Sequence, residues 1–136
     1  MSTISWNKCA IALVEDYASF RRAVERLLSA SGFEVHAFSS AEEFLRSTSR
    51  DSYACLILDI QLPGMSGIDL RDHLNGLASA RPVIFITAQD DGSLRERASQ
   101  FPHSAYLCKP FVGTALLETV HSLIKHSGSG AENTGI

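Results

Sequence analysis

Three short runs in this sequence, Ala10–Val14, Cys55–Leu58 and Val83–Ile86, are apolar at nearly every position. That feature limits the fold more than any other. A strand apolar on alternate residues keeps one face wet, whereas a strand apolar throughout has no wet face and belongs in the middle of a parallel sheet. Two further β-type runs lie at Glu34–Phe38 and Ser104–Leu107. Between the five runs apolar residues recur at helical spacing: Phe20, Val24, Leu27 and Leu28, then Phe44 and Leu45, then Leu70, Leu74 and Leu77. A final stripe of Leu116, Leu117, Val120, Leu123 and Ile124 shows the pattern best. Ser39 followed three residues later by Glu42 fits a capping box for the second helix, and Gly32 stands where the first helix should stop. The order is β then α, five times. Parallel crossovers are right-handed, so helices must cover both sheet faces, and the fold class is α/β: a doubly wound five-stranded parallel sheet with five helices.

The fourth helical segment is the thinnest. Between Asp91 and Phe101 only Leu94, Ala98 and Phe101 share a face, which makes this segment the candidate for motion. From Ser127 onward the glycine- and serine-rich run has almost nothing to bury. The expected limits are therefore an N-terminal extension over 1–8, one folded domain over 9–126, and a disordered tail or linker over 127–136. A chain of 136 residues leaves no room for a second folded domain beside that core. Its 12 Lys and Arg are scattered against 15 Asp and Glu, so no nucleic-acid footprint is expected. The run Cys9–Val14 is too short to span a bilayer and lacks the flanks of a signal peptide. A cytoplasmic protein without a membrane partner is expected. The three cysteines, Cys9, Cys55 and Cys108, are read as reduced and mostly buried. The five histidines, His36, His73, His103, His121 and His126, are dispersed and read as surface or loop residues.

In a doubly wound sheet, ligands bind outside the carboxyl ends of the strands, near the point where the strand order reverses. There the first strand ends in Glu15 and Asp16, the third in Asp59, the fourth in Thr87 and the fifth in Lys109. Three carboxylates gathered within a few ångströms repel one another, and a hard divalent cation removes that cost. Mg²⁺ accepts an octahedral oxygen shell and keeps several waters, so Asp16 and Asp59 as direct ligands, with Glu15 close by or bound through water, would suffice. Each residue alone has a plainer reading. An acidic pair often just begins a helix, Thr often caps one, and Lys-Pro often makes a turn. Four strands presenting these groups at one edge carry the argument.

Val14-Glu15-Asp16, Leu58-Asp59-Ile60-Gln61-Leu62-Pro63-Gly64-Met65-Ser66-Gly67, Ile86-Thr87-Ala88 and Tyr106-Leu107-Cys108-Lys109-Pro110-Phe111 resemble the receiver domains of bacterial response regulators, the CheY-like family with its flavodoxin-like fold. The resemblance runs from about Cys9 to about Lys125. Within the family the chain looks most like FixJ-type receivers, through Gly32-Phe33-Glu34-Val35 and Ser40-Ala41-Glu42-Glu43-Phe44-Leu45 together with Lys109-Pro110-Phe111.

The resemblance implies roles position by position. Asp59 is the phosphoacceptor; Glu15, Asp16, Asp59 and the backbone carbonyl of Gln61 hold Mg²⁺ or Mn²⁺; and Thr87, Ala88 and Lys109 bind phosphoryl oxygens. Thr87 and Tyr106 form the switch, with the Thr87 hydroxyl swinging to the new oxygens and Tyr106 turning inward. The Lys109–Pro110 peptide is cis. Gln61 and Gln89, two residues after the phosphoacceptor and two after the switch threonine, tune the lifetime of the acyl phosphate. The implied partners are a sensor histidine kinase as donor and an effector domain or protein docking on the fourth helix, fifth strand and fifth helix, with pairing of two phosphorylated copies as a further outcome. The receiver is a signalling switch and not an enzyme acting on other substrates.

Two departures from the family pattern stand out. Glu15 replaces the commoner Asp, and Pro102-His103 replaces a frequent Gly-Ala before the fifth strand, which leaves the end of the fourth helix open. Two other classes fit worse. A haloacid-dehalogenase-like phosphatase wants an acid two residues after its nucleophile, and here that residue is Gln61. A mononucleotide-binding flavodoxin wants a phosphate loop where Glu15-Asp16-Tyr17 would repel one.

Overall fold

The computed structural model describes residues 10–47, 53–74 and 81–134, with side chains described as far as Lys125. The chain runs β1 (Ala10–Val14), α1 (Ala18–Ala30), β2 (Glu34–Phe38), α2 (Ala41–Leu45), β3 (Cys55–Asp59), α3 (Gly67–His73), β4 (Val83–Thr87), α4 (Gly92–Ser99), β5 (Ser104–Cys108) and α5 (Gly113–Thr134). All four strand pairings are parallel, in the order β2-β1-β3-β4-β5. The chain leaves β1 toward β2 on one side and returns to β3 on the other. The point of reversal therefore lies between the carboxyl ends of β1 and β3.

Every residue of β1, β3 and β4 is buried. Their alternation splits the core in two, since successive side chains on a strand point to opposite faces. Ala12, Val14, Leu56, Leu58, Val83 and Phe85 pack toward α2, α3 and α4, through residues such as Phe44, Leu70 and Ala98. Ile11, Leu13, Cys55, Ile57, Ile84 and Ile86 pack toward α1 and α5, through Val24, Leu28, Leu116 and Val120. The edge strands are only partly covered, β5 half-buried throughout and β2 half-buried after an exposed Glu34.

Local signals explain most helix ends. Gly32, at φ +99°, follows the end of α1, where Phe33 N–H reaches back to the Leu28 carbonyl. For α2 the expected box is displaced by one residue. The cap is Ser40, whose hydroxyl accepts from Glu43 N–H at 3.0 Å, while Glu43 Oε1 accepts from Ser39 N–H and Ser39 Oγ. Glu42 instead turns away to accept from Met65 N–H at 3.1 Å, tying α2 to the loop after β3. Asp91 caps α4 by accepting from Ser93 N–H at 2.8 Å. Beyond α4 the chain turns at His103, which takes φ 56° in a region that glycine enters more readily.

The structure also places the last helix and three of the histidines. The helical backbone of α5 continues to Thr134, past Ser127 where a disordered tail was expected. His36 lies at the surface of β2, with Nδ1 2.9 Å from the Tyr53 hydroxyl and Nε2 2.7 Å from Glu34 Oε2. His73 and His121 lie on helices, and the His121 ring packs against Phe33. Cys55 is buried and Cys108 half-buried. Cys9, the 1–8 extension and Leu77 fall outside the described residues.

Candidate functional site

The carboxyl ends of β1 and β3 place Glu15 and Asp59 at the reversal point, and both side chains are buried. Backbone bonds fix their height. Glu15 N–H donates to the Phe38 carbonyl and Ile60 N–H to the Ile86 carbonyl, and Val14 pairs with Leu58, so β1, β3 and β4 end at one level. Lys109 N–H donates to the Thr87 carbonyl at 2.7 Å and brings the end of β5 to the same edge. The Lys109–Pro110 peptide is cis.

The Lys109 ammonium lies 3.0 Å from Glu15 Oε1 and 3.2 Å from Asp59 Oδ2. Its outer side is covered by the Phe20 ring, whose centroid is 4.4 Å away, and Phe20 is held edge-on by Phe111. Burial pushes the Glu15 carboxyl up to about 7, and the neighbouring Asp59 charge adds to that rise against bonds from Tyr17 N–H and Lys109. Burial alone would lower Lys109. Its bond to Glu15 and the charges of Asp59 and Glu15 outweigh that effect and hold it above the ordinary lysine value. Burial thus acts on the two groups in opposite senses, raising Glu15 outright and being outweighed at Lys109 by the two carboxylates it faces.

Asp16 is exposed, yet one carboxylate oxygen from each of Glu15, Asp16 and Asp59 lies within 4.8 Å of the others. Three carboxylates against one ammonium leave an excess of two negative charges, presented by oxygen donors alone. Such a set suits a hard divalent cation of the Mg²⁺ or Mn²⁺ kind and suits no soft metal.

On the other side of Asp59 the site is neutral. Asp59 Oδ1 accepts from Gln61 N–H at 2.9 Å. The Gln61 side chain then crosses toward β4, where its Oε1 accepts from the Thr87 hydroxyl and from Ala88 N–H at 3.2 Å. Thr87 Oγ1 in turn accepts from Gln89 N–H at 3.0 Å, and the Gln89 carbonyl lies 3.3 Å from the Tyr106 hydroxyl. Tyr106 stands one step removed from the acids, its ring covered by the Arg95 guanidinium at 4.5 Å. Burial raises the Tyr106 phenol above its ordinary value. The structure thus brings Glu15, Asp16, Asp59, Gln61, Thr87, Ala88 and Lys109 together. Gln89 and Tyr106 form a second layer behind Thr87.

Five further residues, Arg21, Phe20, Glu42, Gly64 and Gly67, support the site in ways their sequence positions do not announce. Arg21 donates to the Glu15 carbonyl at 2.8 Å and the Asp16 carbonyl at 3.4 Å, clamping the loop that carries the acidic pair. Its place one turn into α1 is the only sequence signal for that role. Phe20 shields Lys109, and Glu42 anchors the loop after β3. In that loop Gly64 takes φ +76°, and a Cβ at Gly67 would lie 2.3 Å from the Asp59 carbonyl oxygen. Only glycine at 67 lets α3 begin so close to the strand that carries Asp59.

The family profile described as the response regulator receiver domain matches residues 11–121. Nodulation protein W of Bradyrhizobium diazoefficiens is 42% identical over 113 residues, covering 83% of this chain and 50% of that protein. The transcriptional regulatory protein FixJ of the same organism is 28% identical over 126 residues, covering 93% of this chain and 62% of its own length. The chain thus spans about half the length of the first of these curated relatives. Among solved structures, a CheY-like response regulator receiver domain protein from Methanospirillum hungatei superposes with a TM-score of 0.83 at 22% identity, over 89% of this chain and 97% of that one. That likeness bears on the fold. The profile spans the sheet, the acidic edge and the strands bearing Thr87 and Lys109, and the chain belongs to the response regulator receiver domain family of two-component signalling.

Proposed function

We propose that Asp59 is the phosphoacceptor and that a divalent cation, Mg²⁺ or Mn²⁺, is held by Glu15, Asp16, Asp59 and the Gln61 carbonyl. The observation that carries this reading is the buried Asp59 carboxylate, fixed through one oxygen by Gln61 N–H and through the other by Lys109, beside two further acids. When bound, the cation neutralises charge on the transferring group and on the carboxylates. The chain's own residues do the rest. Asp59 supplies the attacking carboxylate oxygen, and Lys109, Thr87 and Ala88 N–H receive the phosphoryl oxygens. Phosphoryl transfer is mainly positioning and charge neutralisation, so no general base is needed. The bond from phosphorus to the donor nitrogen breaks as that to Asp59 forms, and the donor imidazole leaves neutral after protonation.

The donor is a phosphohistidine on a sensor kinase. The output is a change of the α4–β5–α5 face, read by an effector domain or protein or by a second phosphorylated copy. Three features support that surface: α4 buries only Ala98 fully, β5 is half-buried, and Val112 before α5 is exposed. Gln61 and Gln89 tune the acyl phosphate's lifetime by orienting water without activating it. The domain works in the cytoplasm and contacts neither nucleic acid nor membrane itself. Among the described residues no helix is long and apolar enough to cross a membrane.

The test is intact mass after incubation with acetyl phosphate and Mg²⁺. One phosphoryl adduct is expected on the wild-type chain and none on Asp59→Asn. A stably folded wild-type protein without an adduct overturns the reading.

A further inference from the structure

The amide of Gln61 stands where the phosphoryl group would be received. Its oxygen takes a hydrogen bond from Ala88 N–H and another from the Thr87 hydroxyl, the two donors assigned above to phosphoryl oxygens. Both partners are donors here. Ala88 N–H has no lone pair to offer, so the side-chain atom facing it is the carbonyl oxygen and not the NH₂. Thr87 is fully engaged by this arrangement. Its proton faces Gln61 Oε1, with the Gln89 carbonyl 3.2 Å away as a second acceptor, while its oxygen accepts from Gln89 N–H. The hydroxyl therefore already faces the site, and a phosphoryl oxygen entering it would find both donors taken.

We propose that the Gln61 carboxamide is a built-in occupant of the oxyanion subsite, a neutral surrogate for one phosphoryl oxygen that must be evicted when Asp59 is phosphorylated. The proposal rests on the function assigned above. It adds that the first group to move is the Gln61 side chain and not the Thr87 hydroxyl, whose swing the family resemblance implies. Because only the side chain plugs the subsite, the Gln61 backbone carbonyl and the N–H bonded to Asp59 remain in place on truncation. Eviction frees the donors without disturbing the loop after β3, which Glu42 and Gly67 hold independently. Any tetrahedral oxyanion, or a fluoride mimic such as beryllofluoride, competes with the amide for the same two donors.

Two measurements on Gln61→Ala and Gln61→Asn test this. The Asn side chain is one methylene shorter and cannot span the distance. The first is the amide proton shift of Ala88 without cation or phosphodonor. It should move upfield in both variants as the bond to Gln61 is lost, and an unchanged shift would overturn the plug whatever the outcome of phosphorylation. The second is beryllofluoride affinity together with the initial rate of adduct formation from acetyl phosphate, both with Mg²⁺. Removing a net competing hydrogen bond should raise each by about fivefold. Equal or lower values in both variants would show that the amide does not compete. A wild-type chain that takes neither beryllofluoride nor phosphate would sink the parent reading, while the Ala88 shift would still decide the position of Gln61.

Discussion

The centre of the sheet and its β5 edge are built from the same short strands but solve different problems. β1, β3 and β4 are buried over all five residues, with helices against both faces, and they carry Glu15, Asp59 and Thr87. β5 is half-buried from end to end, leans on a helix that buries only Ala98 fully, and carries Tyr106 and Lys109. Charge that must not move is mounted on the part that cannot yield. Tyr106 and Lys109 are mounted where less apolar contact holds the backbone. A close-packed centre keeps three acids near one another despite their repulsion, whereas the edge is held by fewer buried contacts.

The difference should appear first in stability. Ile57→Ala removes a fully buried side chain from β3 and should cost about 3–4 kcal/mol, whereas Leu107→Ala in β5 should cost about 1–2 kcal/mol because its site is already partly open. Urea unfolding of both variants would measure this, and equal costs would erase the distinction between centre and edge.

A smaller effect follows from Glu15. Without a divalent cation its carboxyl sits at about 7 when folded against 4.5 ordinarily, so between these values the folded chain holds a proton that the unfolded chain has lost. Stability should therefore fall as pH rises from 4.5 to 7, by on the order of 2 kcal/mol, and level off above. Unfolding followed over that range in a chelator should show the decline, and Mg²⁺ at pH 7.5 should restore the loss. A flat profile would mean that the centre relaxes around its charge.

The smallest effect belongs to the edge. His103 holds φ 56° just before β5, and His103→Gly should stabilise by about 0.5–1 kcal/mol in thermal unfolding. A destabilised variant would show that this strain is compensated within the turn.

Much of this was legible in the sequence because the centre announces itself twice. Ala10–Val14, Cys55–Asp59 and Val83–Thr87 are apolar on both faces, and their polar residues come at the end where the chain leaves the core. What escaped depended on partners distant in sequence. Ser39/Glu42 and Ser40/Glu43 satisfy the same capping spacing. The choice falls to the second pair because Met65 N–H, from the loop after β3, takes Glu42. Gln61 reads as a polar loop residue until Thr87 and Ala88 are brought beside it. Arg21 reads as a helix-surface cation until the carbonyls of Glu15 and Asp16 are seen beneath it.

Among the described residues β2 has no neighbour on one side, and an unpaired strand is a template on which a second molecule can add its own. Glu34 and His36, at i and i+2, point to one face of that strand and pair with each other at 2.7 Å, with Glu34 exposed. A strand arriving alongside would have to strip water from a carboxylate and an imidazole before forming its first ladder bond. Protection of this border thus rests on two polar side chains of a five-residue strand.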